Sequence, residues 1–61
     1  MFSCTYYVDQ IDGDYAHLLQ VGIDNPEPKL VARALLPPEV QEGNYLLYEW
    51  LQYTIVDAPV A

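Results

Sequence analysis

Phe2-Ser3-Cys4-Thr5-Tyr6-Tyr7-Val8-Asp9-Gln10-Ile11-Asp12-Gly13-Asp14-Tyr15-Ala16-His17-Leu18-Leu19 is the stretch whose pattern decides the fold. Phe2, Cys4, Tyr6 and Val8 alternate with Ser3, Thr5, Tyr7 and Asp9, the period of a strand with one buried face. The even positions are therefore expected to face the core. Ile11 falls on the other parity, which predicts a bulge or a strand end near Gln10. Asp12-Gly13-Asp14 predicts a hairpin, because such a turn needs positive φ and Gly adopts it at little cost. The return strand is expected over Tyr15 to Val21. Ala16, Leu18 and Gln20 share one face and Tyr15, His17, Leu19 and Val21 the other. Both faces carry apolar side chains, so alternation does not say which one is buried.

The rest of the chain repeats this grammar of short strands and turn signals. Asn25-Pro26-Glu27-Pro28 cannot lie inside a sheet, since each proline lacks a donor, and this predicts a loop over Gly22 to Pro28. A third strand is expected over Lys29 to Ala34. Pro37-Pro38 ends it, with one 3₁₀ turn at Pro38-Glu39-Val40 and Leu36 and Val40 plugging the core. Tyr45 to Val56 is rich in strand formers and too long for one strand in so small a domain. It is expected to fold back near Glu49-Trp50-Leu51-Gln52. The expected architecture is all-β: a single five-stranded barrel over residues 1–57, SH3-like by preference because the loop lengths suit meander hairpins, with OB-like as the alternative, one short 3₁₀ turn and a tail at 58–61.

Charge and composition bound the function. The 61 residues hold 9 acids against Lys29 and Arg33, a net charge of -7. Direct nucleic-acid binding rests on clustered cations and is not expected, and anionic membrane surfaces are disfavoured for the same reason. No apolar run approaches a membrane span, and no basic leader opens the chain, so a cytoplasmic protein is expected. One cysteine cannot form an internal disulfide, and Cys4 with His17 cannot close a zinc site of thiolates and imidazoles. No metal or cofactor is expected. Asp9, Asp12 and Asp14 crowd the first turn without the ligand series of a calcium loop. Such residues recur in turns because their side chains bond the local backbone. Cys4 and His17 could face each other across the first hairpin, but they lack a third partner and an oxyanion site. No catalytic residue is assigned, and the protein is not expected to be an enzyme.

Val8-Asp9-Gln10-Ile11-Asp12-Gly13-Asp14-Tyr15-Ala16 and Leu35-Leu36-Pro37-Pro38-Glu39-Val40-Gln41-Glu42-Gly43-Asn44-Tyr45-Leu46 lie in order across most of the chain. Together they resemble the V-D-R-x-E-G-D-Y-A and S-L-L-P-E-G-x-K-E-G-D-V-L motifs of a DUF3006-like family of small bacterial domains of unknown function. The resemblance implies a small β-barrel, at times beside a metallo-β-lactamase-like hydrolase domain. It implies no catalytic residue. Gln10 departs from the motif's Arg, and the last turn carries Trp50-Leu51 where the family has a polar tip.

Six tyrosines, Phe2 and Trp50 exceed what so small a core can enclose. Tyr and Trp are favoured at binding hot spots. Tyr48, Trp50, Leu51 and Tyr53 are therefore expected to form an exposed patch for a protein partner or a second copy of the chain. Two alternatives accompany this expectation. One is an acidic mimic of nucleic acid presenting Asp9, Asp12, Asp14, Asp24, Glu27, Glu39, Glu42 and Glu49 to a DNA- or RNA-binding enzyme. The other is an accessory domain to a hydrolase, from the resemblance.

Overall fold

A computed structural model describes residues 3–58. Five antiparallel strands form one sheet: β1 (Cys4–Asp12), β2 (Tyr15–Gln20), β3 (Lys29–Ala32), β4 (Tyr45–Glu49) and β5 (Gln52–Val56). The only helical element among the described residues is a 3₁₀ turn over Arg33–Leu35. The sheet order is β3-β2-β1-β4-β5. Three hairpin-linked strands followed by a fourth that returns beside the first make a Greek key. The fold is all-β as the alternation predicts, but β4 returns beside β1 instead of continuing the run of meander hairpins on which the SH3-like preference rests, a connectivity nearer the OB-like alternative.

The sheet does not close. β3 and β5 are its two edges and do not pair with each other, which corrects the expectation of a complete barrel. The third strand is shorter than the predicted Lys29 to Ala34. The Arg33 amide donates to the Asp14 carbonyl at 2.8 Å and the Leu36 amide to the Arg33 carbonyl at 3.0 Å. These bonds wind the chain into the 3₁₀ turn before β3 can run further along an edge. At Pro38-Glu39-Val40 there is a single hydrogen-bonded turn, closed by the Val40 amide on the Pro37 carbonyl at 3.1 Å. The 3₁₀ segment thus lies upstream of its expected position, while Leu36 and Val40 are both buried as predicted.

Parity holds where the backbone is regular. Tyr6 and Val8 are buried, and Cys4 packs against the core from the same face. Phe2, expected on that face, lies outside the described residues. The register runs Val8 opposite Leu18 and then Gln10 opposite His17, so Asp9 is the extra residue of a bulge. Beyond it parity inverts, and Ile11, opposite Ala16, rejoins the core face. The Ile11 amide just past the bulge donates to Glu42 Oε2 at 2.8 Å, so one of the nine acids serves the backbone. The core face of β2 is the one carrying Ala16 and Leu18, both fully buried. Val31 and Leu46 complete the buried set with Leu36 and Val40.

The two tight hairpins use different chemistry for the same demand. Gly13-Asp14 joins Asp12 to Tyr15, with positive φ (61°) at Gly13 alone. That is a II′-type turn, whose first central position favours Gly. Trp50-Leu51 joins Glu49 to Gln52, with φ of 53° and 59°. Positive φ at both central positions defines a I′-type turn, which ordinarily carries Asn-Gly. Here two bulky L-residues hold it.

Candidate binding surface

The β4–β5 hairpin places the four predicted contact residues. Tyr48 faces Tyr53 across the ladder, and their ring centroids lie 4.6 Å apart. Tyr53 also approaches Tyr6 of β1, at 6.2 Å. The three rings form a cluster at the end of the core, each tilted against the next, which is a favourable geometry for aromatic pairs. Beyond them the turn projects Trp50 and Leu51, which are 72% and 87% exposed. The surplus of large apolar side chains is thus real. Trp50 and Leu51 stand outside the core, while the tyrosine rings beside them are half-buried.

Between the two unpaired sheet edges runs a groove of about 360 Å³. Lys29, Leu30 and Leu35 line one wall, and Tyr48, Leu51 and Tyr53 line the other. Leu30 and Leu35 are 58% and 68% exposed. Three of the four predicted residues therefore share this groove, whereas Trp50 sits at the hairpin tip outside its lining. The contribution of Lys29, Leu30 and Leu35 was not visible in the sequence. They join the hairpin only because the Greek key curls β3 round toward β5.

Among the described residues, Lys29 is the only charged group lining the groove. It lies opposite Leu18 and shares the core face of β3 with Val31. Its nitrogen lies 5.4 Å from the Tyr6 ring centroid and 5.7 Å from that of Tyr48, within cation–π range. No carboxylate of the described residues lies within 4.0 Å of it. Partial burial pulls its pKa down, but the phenol oxygens of Tyr53 and Tyr6 outweigh this and hold it above the ordinary 10.5. Tyr53 in turn titrates above its ordinary 10.0, chiefly because burial disfavours the phenolate, with Lys29 opposing.

The remaining chemical candidates separate in space. His17 pairs with Gln10, six residues along β1 from Cys4. Cys4 packs against the core, whereas His17 alternates with the buried Ala16 and Leu18 and so points to the other face. The suggested Cys4–His17 juxtaposition across the hairpin is therefore not formed. Cys4 Sγ instead lies 4.0 Å from Gln20 Nε2. Among the described residues no three His, Cys, Asp or Glu side chains are grouped to hold a metal ion. A second hollow, of about 320 Å³, lies beside the first hairpin between Asp14, Arg33 and Pro37 to Val40. Its cation is already engaged, since Arg33 donates to the Gly13 carbonyl at 3.3 Å. No helix among the described residues is long and apolar enough to cross a membrane.

Compared with known family models, curated proteins and solved structures, the chain matches none.

Proposed function

We propose that this protein is a non-catalytic binding module that engages another protein through the β4–β5 hairpin, with Tyr48, Trp50, Leu51 and Tyr53 as its contact residues. One observation carries the reading. The two most exposed large apolar side chains of the described residues are adjacent, and both are held in left-handed backbone. Such conformations cost about 1–3 kcal/mol each for ordinary residues and cluster at functional sites. A turn serving only to reverse the chain reaches the same geometry with Asn-Gly at far lower cost. Strain of this size is large in a domain of 61 residues, whose whole stability is on the order of 3–9 kcal/mol. The half-buried tyrosines behind the tip give it a firm base, so little ordering entropy is lost on contact.

The test compares affinity purification from the native host with the wild-type chain and with Trp50→Ser/Leu51→Ser. A partner retained by the first and lost by the second supports the reading. Light scattering of the purified chain reports whether the partner is a second copy. Binding through this surface should weaken little between 50 and 500 mM salt, values chosen to span strong screening. A partner that ignores the tip substitutions but dissociates steeply with salt would instead favour the acidic-mimic alternative.

A further inference from the structure

The groove beside the hairpin has a chemistry that the tip does not. Its long walls are strand edges. In an antiparallel pair the backbone groups of alternate residues point away from the partner strand. β3 pairs only with β2 and β5 only with β4. Among the described residues, no backbone bond outside the ladders involves residues 29–32 or 52–56. Both edges therefore present unpaired donors and acceptors to the same groove. Edge strands of this kind are templates for an added strand, and natural sheets often cover them or blunt them with charge. Here the one charge is drawn over the tyrosine rings, and the edge carries the exposed Leu30 with Leu35 just beyond it.

Charge complementarity selects the occupant. The chain has nine acids, yet the groove holds a single ammonium with no carboxylate in reach among the described residues. An exposed ammonium held against two aromatic rings, with no carboxylate of the described residues in reach, is open to an anion from outside. We propose that the gap between β3 and β5 takes a short extended peptide, which adds as a strand to the β3 edge and sets one carboxylate over Lys29. Main-chain hydrogen bonds to β3 supply affinity, alternate apolar side chains lie against Leu30, Leu35 and Leu51, and Lys29 fixes the register. The inference rests on the reading of the protein as a binding module, and it names the class of ligand.

The experiment is selection of a random heptapeptide phage library on the full chain, in parallel with Lys29→Glu, Lys29→Met and Asp24→Asn, each checked by circular dichroism for folding. On the wild type, enriched peptides should alternate apolar residues and carry one Asp or Glu at a fixed place. Lys29→Glu should shift that place to Lys or Arg, and Lys29→Met should abolish the preference while keeping the apolar pattern. A synthetic copy of an enriched peptide should bind at least tenfold more weakly to Lys29→Met. N-methylation of alternate amides should weaken it by a similar factor. No enrichment, no acidic preference, or indifference to N-methylation overturns the inference. Asp24→Asn alters an exposed loop residue outside the groove lining, so its selection should match the wild type. A native partner lost with the tip substitutions while the library shows no acidic preference would refute the groove assignment and leave the hairpin reading standing.

Discussion

Replacing Trp50-Leu51 by Asn-Gly should make the protein more stable although it deletes two large apolar side chains. Both residues have φ near +55°, where an L-residue loses about 1–2 kcal/mol through contact of its Cβ with the backbone. Together they hold about 2–4 kcal/mol of strain. Asn tolerates this region, and Gly adopts it freely. Against the gain stands the greater freedom of Gly in the unfolded chain, about 1 kcal/mol. Little burial is forfeited, because the two side chains are the most exposed large apolar groups of the described residues. The net expectation is a gain of about 2 kcal/mol. For a domain of this size that corresponds to a rise in Tm of roughly 8–16 °C. Thermal unfolding and urea titration followed by circular dichroism measure it. Trp50→Ala/Leu51→Ala is the control, since alanine keeps a Cβ and therefore the strain. If Asn-Gly is no more stable than Ala-Ala, the argument from backbone strain is wrong, and the tip side chains contribute to folding instead of display.

Other expectations follow from single contacts. Lys29 and Tyr53 both titrate above their ordinary values in the fold. A raised folded pKa gives stability that is fully present below the unfolded value and lost as pH rises through the folded one. Stability should therefore hold up to about pH 10 and fall above it, and Tyr53→Phe, which removes one titrating group and the largest cause raising the other, should flatten that fall; a fall already steep at pH 8 would contradict this, as would one unchanged in Tyr53→Phe. Leu46→Ala removes a fully buried side chain that pairs with Tyr6 and Ile55. It should cost about 2–5 kcal/mol and leave the chain largely unfolded at 37 °C by circular dichroism. Glu42→Ala leaves the Ile11 amide past the bulge without its carboxylate. A loss of about 1 kcal/mol is expected, with faster hydrogen exchange at Ile11 and Glu42→Gln intermediate; unchanged exchange at Ile11 would show that water replaces the carboxylate.

Local chemistry in the sequence was enough to determine the strands and their turns. Alternation at Cys4, Tyr6 and Val8 marks the buried face of β1, because side chains on a pleated strand can only alternate. The parity of Ile11 announces the bulge that the register places at Asp9. Gly13 marks the first hairpin because few other residues adopt its φ cheaply. The excess of Tyr and Trp over available core volume already implied that some would be displayed. The edges of β3, the path of the chain after it and the composition of the groove were not legible. Lys29 to Ala34 reads as a strand by propensity, yet hydrogen bonds from a hairpin tip some twenty residues earlier wind its end into a 3₁₀ turn.

What the sequence alone determined, then, is that five short segments extend, where the two tight hairpins turn and which face of β1 is buried, all of which depend on neighbours within a few residues. Only the tertiary structure decided that β4 lies beside β1, that the sheet stays open, and that Lys29, Leu30 and Leu35 meet Tyr48, Leu51 and Tyr53 across the gap. It also decided that the last turn is strained, because Trp-Leu carries no local preference for positive φ. That geometry is imposed by the two-residue closure of β4 onto β5, and the register of the ladder requires it whatever residues occupy the tip.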